Sequence, residues 1–207
     1  MGNPPPSTPV TPIGDDRRKQ SLAETLAAAP DISRLRIFAY GSLMWSPCFE
    51  FIGRSRGTLY GYHRGFSIWS VHARGSPENP GLGFALEEMS DARCDGMVFS
   101  LPKNVSEQDL IPLWEREMWT ETYIPTWVWV NMEGVKVQAL TFVVSTDHMQ
   151  YAGNLPLEVK ARYIARASGK YGTCYDYLSE TVKVMHDHGV RDPEMETLLA
   201  AVDELNC

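Results

Sequence analysis

The sequence predicts an α+β protein with about five to seven short strands, a number that could close into a small mixed or antiparallel β-barrel with helices packed outside it. Three observations predict this. Strand-like runs of alternating and aromatic residues occupy 36–101 and 122–145. A single helical pattern interrupts them, ending at Glu117. A block of helical patterns fills the chain from Pro156 to Leu205. Strands, one helix, a hairpin and then helices do not make the regular strand–helix alternation of a doubly wound sheet.

Composition sets the outer limits. With 207 residues, 43% of them hydrophobic and six Trp, the chain has enough apolar surface for one sizeable core. A net charge of −7, with no run of Lys and Arg longer than Arg17-Arg18-Lys19, argues against nucleic acid or an anionic membrane as partner. No stretch approaches the roughly 18 apolar residues of a membrane span, and the N-terminus lacks the apolar core of a signal peptide. Cys48, Cys94, Cys174 and Cys207 are far apart and form no C-x-x-C pair. They are expected to be reduced thiols of a cytoplasmic chain.

Residues 1–17, rich in Pro, Ser, Thr and Gly, are expected to form a flexible arm. The remainder, 18–207, is expected to form one domain. It starts with a peripheral helix over about 18–28, favoured by Leu22 and Leu26 and ended by Pro30. Arg36 to Tyr40 is the first strand. Gly41-Ser42 then breaks it. A glycine there can take a positive φ, turn the chain sharply and expose consecutive backbone N–H groups. Such a row of amides suits a carboxylate or an oxyanion, although the same residues also fit an ordinary turn. Arg54–Tyr62 and Phe66–Val71 read as two strands around Arg64-Gly65. Gly83–Glu87 and Gly96–Leu101 read as two more, separated by a charged, exposed loop over Glu88–Asp95.

The helix ending at Glu117 is predicted to start near Asp109, because Pro112 is best tolerated in a first turn. A start at Ser106 is the alternative and would kink the helix at Pro112. Either way Leu110, Leu113, Trp114 and Glu117 share one face, toward the core, and Glu115 is solvated. Thr122–Asn131 and Val135–Ser145 form a hairpin across Met132-Glu133-Gly134. Three helices follow: Pro156–Ser168, Tyr175–Asp187 stopped by Gly189, and Asp192–Leu205 with Pro193 in its first turn.

Geometry alone thus selects one inward-facing acid. Desolvation on the apolar face should raise the Glu117 pKa toward the range of a general acid/base. The structural alternative is an ion pair with Arg116 or Arg74. Other patterns carry less. His186 and His188, two apart on a helix, face different ways and make no metal site. Ser42 lacks the G-x-S-x-G elbow, and there is no phosphate loop or dinucleotide fingerprint. Cys48 lies near the bend but has no visible activating partner.

Four stretches in order resemble the ChaC family of γ-glutamylcyclotransferases. They are Tyr40-Gly41-Ser42-Leu43-Met44-Trp45, His72 to Pro77 with Pro80-Gly81, Trp114-Glu115-Arg116-Glu117-Met118, and Tyr151-Ala152-Gly153 with Pro156-Leu157-Glu158. The resemblance spans about residues 35–180 and implies a cyclotransferase-like barrel. It further implies a lyase acting on glutathione, in which the substrate's α-amine attacks its own γ-carbonyl, forms 5-oxoproline and expels cysteinylglycine. Such chemistry needs a frozen geometry, one proton carrier and an oxyanion site. It needs no metal, cofactor or nucleophilic side chain. By the same resemblance Glu117 is the acid/base, and Ile37, Phe38, Ala39, Tyr40, Gly41, Ser42 and Leu43 hold the γ-glutamyl head. Arg74 forks onto a substrate carboxylate, and Tyr151 has a similar role. As isolated residues, Tyr40 also reads as a core aromatic and Arg74 as a structural arginine. Met118-Trp119-Thr120-Glu121 departs from the family's glycine pair on the leaving-group side. Other γ-glutamyl amines as substrate, or a non-catalytic ligand-binding protein, are the alternatives. The partner is a small molecule, with no nucleic acid and no membrane, and the chain is expected to be a monomer or weak dimer.

Overall fold

Five strands close on themselves in the order β1-β3-β2-β4-β5. They are β1 Arg36–Ala39, β2 Gly53–Ser70, β3 Gly81–Ser100, β4 Tyr123–Met132 and β5 Val135–Val144. The structure is a computed structural model and describes residues 2–206, so Met1 of the expected arm and the expected thiol of Cys207 lie outside it. β1 runs antiparallel to β3, with Ile37 opposite Phe99, and parallel to β5, with Ile37 opposite Leu140. The barrel is therefore mixed, and the α+β barrel read from the sequence is the fold observed.

The strands are longer than expected. β2 runs unbroken through Arg64-Gly65, and β3 through Glu88–Asp95. Residues 88–91 are exposed, as their charge requires, yet they stay in a strand. Ladder hydrogen bonds need no buried side chains, so polarity marked exposure and not a strand end. In the same stretch Thr58 Oγ1 donates to Asp95 Oδ1 at 2.6 Å. Gly61 takes φ +81 within β2, which continues through it.

The chain clusters into two compact units assembled from interleaved stretches, and β2 and β3 contribute to both. One unit comprises Thr11–His63 and Leu86–Ser145. It holds the barrel and two helices, α1 Asp15–Ala27 and α2 Glu107–Glu117. Its core is built from Ile37, Phe38, Leu59, Val98, Phe99, Val130, Ala139 and Phe142, all at most 1% exposed. α1 begins three residues before the expected position, takes in the end of the expected arm and buries Leu22. Trp127 of β4 donates its indole N–H to the Thr25 carbonyl at 3.1 Å. α2 starts one turn before Asp109, so the Ser106 alternative is the one found. Ser106 donates both its N–H and its hydroxyl to Asp109 Oδ2, at 2.8 and 2.7 Å. That cap holds the extra turn and leaves Pro112 inside the helix, on its exposed side. The β4–β5 turn uses Glu133 at φ 53 and Gly134 at φ 87, the left-handed pair a two-residue hairpin requires.

The other unit comprises the chain up to Val10, Arg64–Ala85 and the chain from Thr146 onward. It holds α3 Leu157–Arg166, α4 Cys174–Asp187 and α5 Pro193–Asn206. Its aromatic cluster packs Phe66 against Phe84 at a tilt, with both rings edge-on to Tyr177, and Trp69 edge-on to Tyr163. A two-stranded ribbon, β6 Ser168–Gly169 with β7 Gly172–Thr173, joins α3 to α4. Two-residue strands carry no periodic pattern, so this ribbon left no trace in the sequence. The start of the expected arm is tied down here: Asn3 N–H donates to the Ala152 carbonyl at 2.7 Å, and the Trp69 indole donates to the Asn3 carbonyl at 3.1 Å.

Candidate active site

The Tyr40–Ser46 bend grows out of the barrel. Ile37, Phe38 and Ala39 are each 1% exposed and are held in the ladder with β3. Phe38 O accepts from Thr141 Oγ1 at 3.0 Å. Gly96 permits close approach of β3, since a Cβ there would lie 2.4 Å from the Ala39 carbonyl oxygen. Tyr40 is buried, and its hydroxyl donates to the Phe142 carbonyl at 2.8 Å. Gly41 does not take the positive φ expected of it; its φ is −135. A 3-10 turn over Ser42–Met44 makes the bend instead. It is closed by Met44 N–H on Gly41 O at 2.9 Å and Ser46 N–H on Ser42 O at 3.0 Å. The Ser42 and Leu43 amides come before these bonds, at the end of a turn where N–H groups have no partner within it.

α2 supplies the acid. Leu110, Leu113 and Trp114 are at most 1% exposed, and Glu115 faces solvent. The Trp114 ring lies 5.5 Å from that of Phe142, and its indole donates to Ser21 Oγ at 3.3 Å. Glu117 is one turn further along this stripe, with 14% of its side chain accessible. Burial pushes its carboxyl up to about 7, and the smaller, opposing pull of the Arg116 guanidinium does not reverse this.

Arg116 joins the acid to the bend. Its Nε lies 3.4 Å from Glu117 Oε1, its Nη1 donates to the Ser46 carbonyl at 2.6 Å, and its Nη2 donates to Ser42 Oγ at 2.6 Å. Glu117 and Ser42, both selected from sequence, are thus brought together through a residue the sequence offered only as a possible ion partner. The available signal was a cation in the last turn of a helix, where it suits the C-terminal carbonyls. Nothing local says which carbonyl it reaches. Cys48 follows the bend; burial raises its thiol pKa, with Arg116 acting against that, so the neutral thiol is favoured.

Arg74 and Tyr151 belong to the other unit. Arg74 Nη1 donates to the Tyr171 carbonyl at 2.6 Å and the Thr173 carbonyl at 3.4 Å, and the guanidinium sits 4.9 Å over the Tyr177 ring. Tyr151 bridges Ile68. His186 Nε2 is 2.7 Å from Glu196 Oε1. Among the described residues no group of three or more His, Cys, Asp or Glu is arranged to hold a metal ion, and no helix is long and apolar enough to cross a membrane.

Comparison with known proteins places this geometry in context. Residues 35–205 match the family described as ChaC-like protein. The chain is 39% identical to the glutathione-specific gamma-glutamylcyclotransferase of Escherichia coli over 191 residues, covering 92% of this chain and 82% of the relative. It is 31% identical to glutathione-specific gamma-glutamylcyclotransferase 1 of Danio rerio over 175 residues, covering 82% and 89%. A crystal structure of the glutathione-specific gamma-glutamyl cyclotransferase from yeast has the same fold, with a TM-score of 0.76 at 19% identity, covering 83% of this chain and 96% of that one. The chain belongs to the ChaC-like protein family.

Proposed function

We propose that this protein is a glutathione-specific γ-glutamylcyclotransferase, a lyase that releases 5-oxoproline and cysteinylglycine. The observation that carries the reading is the Glu117 carboxyl, buried on the apolar stripe of α2 with a pKa near 7 and linked by Arg116 to the Gly41–Ser46 bend. Glutathione as substrate rests on the printed names of the Escherichia coli and Danio rerio relatives.

The mechanism follows from those groups. A substrate α-ammonium has a pKa of about 8, so a carboxylate near 7 is matched to take its proton. The freed amine attacks the γ-carbonyl of the same molecule, and the ring closes in a tetrahedral adduct. Amides of the Tyr40–Leu43 bend, supported from below by Ile37, Phe38 and Ala39, receive the oxyanion or the α-carboxylate. Glu117 then returns its proton to the leaving nitrogen as the carbon–nitrogen bond breaks, which restores the carboxylate, and the second proton of the attacking nitrogen passes to the expelled amine, so that the products are the neutral lactam and a cysteinylglycine ammonium. Cys48, Cys94 and Cys174 are thiols rather than disulfide partners, which supports a reducing, cytoplasmic compartment.

The test is direct. Purified protein incubated with glutathione, without metal or nucleotide, releases 5-oxoproline, and Glu117→Gln abolishes release while the circular dichroism spectrum is unchanged. Binding of glutathione with no product over hours refutes catalysis. Turnover of γ-glutamyl-alanine but not glutathione refutes the substrate.

A further inference from the structure

The geometry points to Arg116 as a positioning residue of this reaction: its guanidinium fixes the Ser42–Ser46 bend relative to the Glu117 carboxyl and keeps a permanent positive charge beside it. This rests on the cyclotransferase reading above and adds to it a residue that does not itself touch the reacting atoms.

Adjacent helical residues diverge by about 100° around the axis, so Arg116 and Glu117 do not meet by helix geometry. They meet here because the bend draws the guanidinium across. All three guanidinium nitrogens have different destinations: Ser46 O and Ser42 Oγ at 2.6 Å each, and Glu117 Oε1 at 3.4 Å. The guanidinium is planar and rigid, so a displacement at one partner is transmitted to the other two. The Ser42 and Leu43 amides that the mechanism uses are therefore held in register with the acid by one side chain. Lysine has the charge but not the fork.

The charge has its own effect. Among the described residues, the ionisable groups that act on or feel Glu117 are the Arg116 guanidinium, from its own helix, and the Cys48 thiol, from the segment after the bend. Arg116 lowers the Glu117 pKa against burial, and the thiol is neutral near pH 7. Removing the guanidinium leaves burial unopposed.

The two effects separate by substitution. Kinetics of 5-oxoproline release are measured against pH for wild type, Arg116→Met, Arg116→Lys, Ser42→Ala and the Ser42→Ala/Arg116→Met double variant, with melting temperatures alongside. Arg116→Met should lower kcat on the order of a hundredfold and move the acid limb of kcat/KM up by about one pH unit. Arg116→Lys should lower kcat but leave the limb in place. The double variant should be little worse than Arg116→Met alone, because both changes cut one tether. Wild-type kcat and an unmoved limb in Arg116→Met overturn the proposal, as does full additivity of the double variant. If Arg116→Met does not fold, Arg116→Lys and Ser42→Ala decide it, and wild-type kcat in both overturns it. These outcomes are read in a protein that turns over glutathione and loses activity in Glu117→Gln; absence of wild-type turnover instead refutes the proposed function, and this inference with it.

Discussion

Arg64 grips one oxygen of Asp192, with Nη2 at 2.7 Å and Nε at 3.1 Å from Oδ2, while its own side chain is only 2% exposed. The second oxygen, Oδ1, accepts the Met195 N–H at 3.2 Å and so caps α5. One carboxylate thereby ties the start of the last helix to strand β2.

Asp192→Ala should lose roughly 3–5 kcal/mol, since it strips a buried cation of this carboxylate and removes a helix cap. Asp192→Ala combined with Arg64→Met should recover a large part of that loss. Urea unfolding midpoints measure both, and a single variant within 1 kcal/mol of wild type would refute the pair's role.

The raised Glu117 pKa makes a stability prediction with a definite sign. The group goes from 4.5 to about 7 on folding, so the folded state binds its proton more tightly. Its contribution is whole below pH 4.5 and is lost as pH rises through 7. Glu117→Gln does not titrate. The stability of that variant relative to wild type should therefore rise by about 3 kcal/mol from pH 4.5 to pH 8. A flat difference across that range would place the carboxyl in solvent.

The same ionisation should appear in catalysis. Activity needs the carboxylate to accept the first proton, so kcat/KM should fall as pH drops through about 7. Glu117→Asp, which withdraws the carboxyl by one methylene, should lower kcat on the order of a hundredfold with little change in fold. An acid limb near the ordinary carboxylate value would argue for a solvated acid.

Glu133 holds φ 53 at a position suited to Asn or Gly. Glu133→Asn should stabilise the protein by about 0.5–1 kcal/mol, read as a rise of a few degrees in Tm. A fall in Tm would mean that the Glu133 side chain makes a contact worth more than the backbone strain.

The helical stripe was fully legible. Leu110, Leu113, Trp114 and Glu117 recur at the spacing of one α-helical face, and all four point inward. The Glu133-Gly134 turn was legible for the same local reason. The charged stretch 88–95 misled, because its charges report solvent contact while its backbone remains in a ladder. Pro112 misled in the same way: a rule about one hydrogen bond was overridden by the Ser106–Asp109 cap a turn earlier.

The amino-acid order by itself determined the α+β succession of strands and helices and turned one glutamate toward the core. Those outcomes depend on residue spacing over a few turns or pleats. Only the tertiary structure decided that Gly41 bends without a positive φ, that Arg116 reaches Ser42 and Ser46, and that Glu117 titrates near 7. Desolvation and charge–charge attraction depend on distances between residues some 70 positions apart in the chain, and no local pattern encodes those distances.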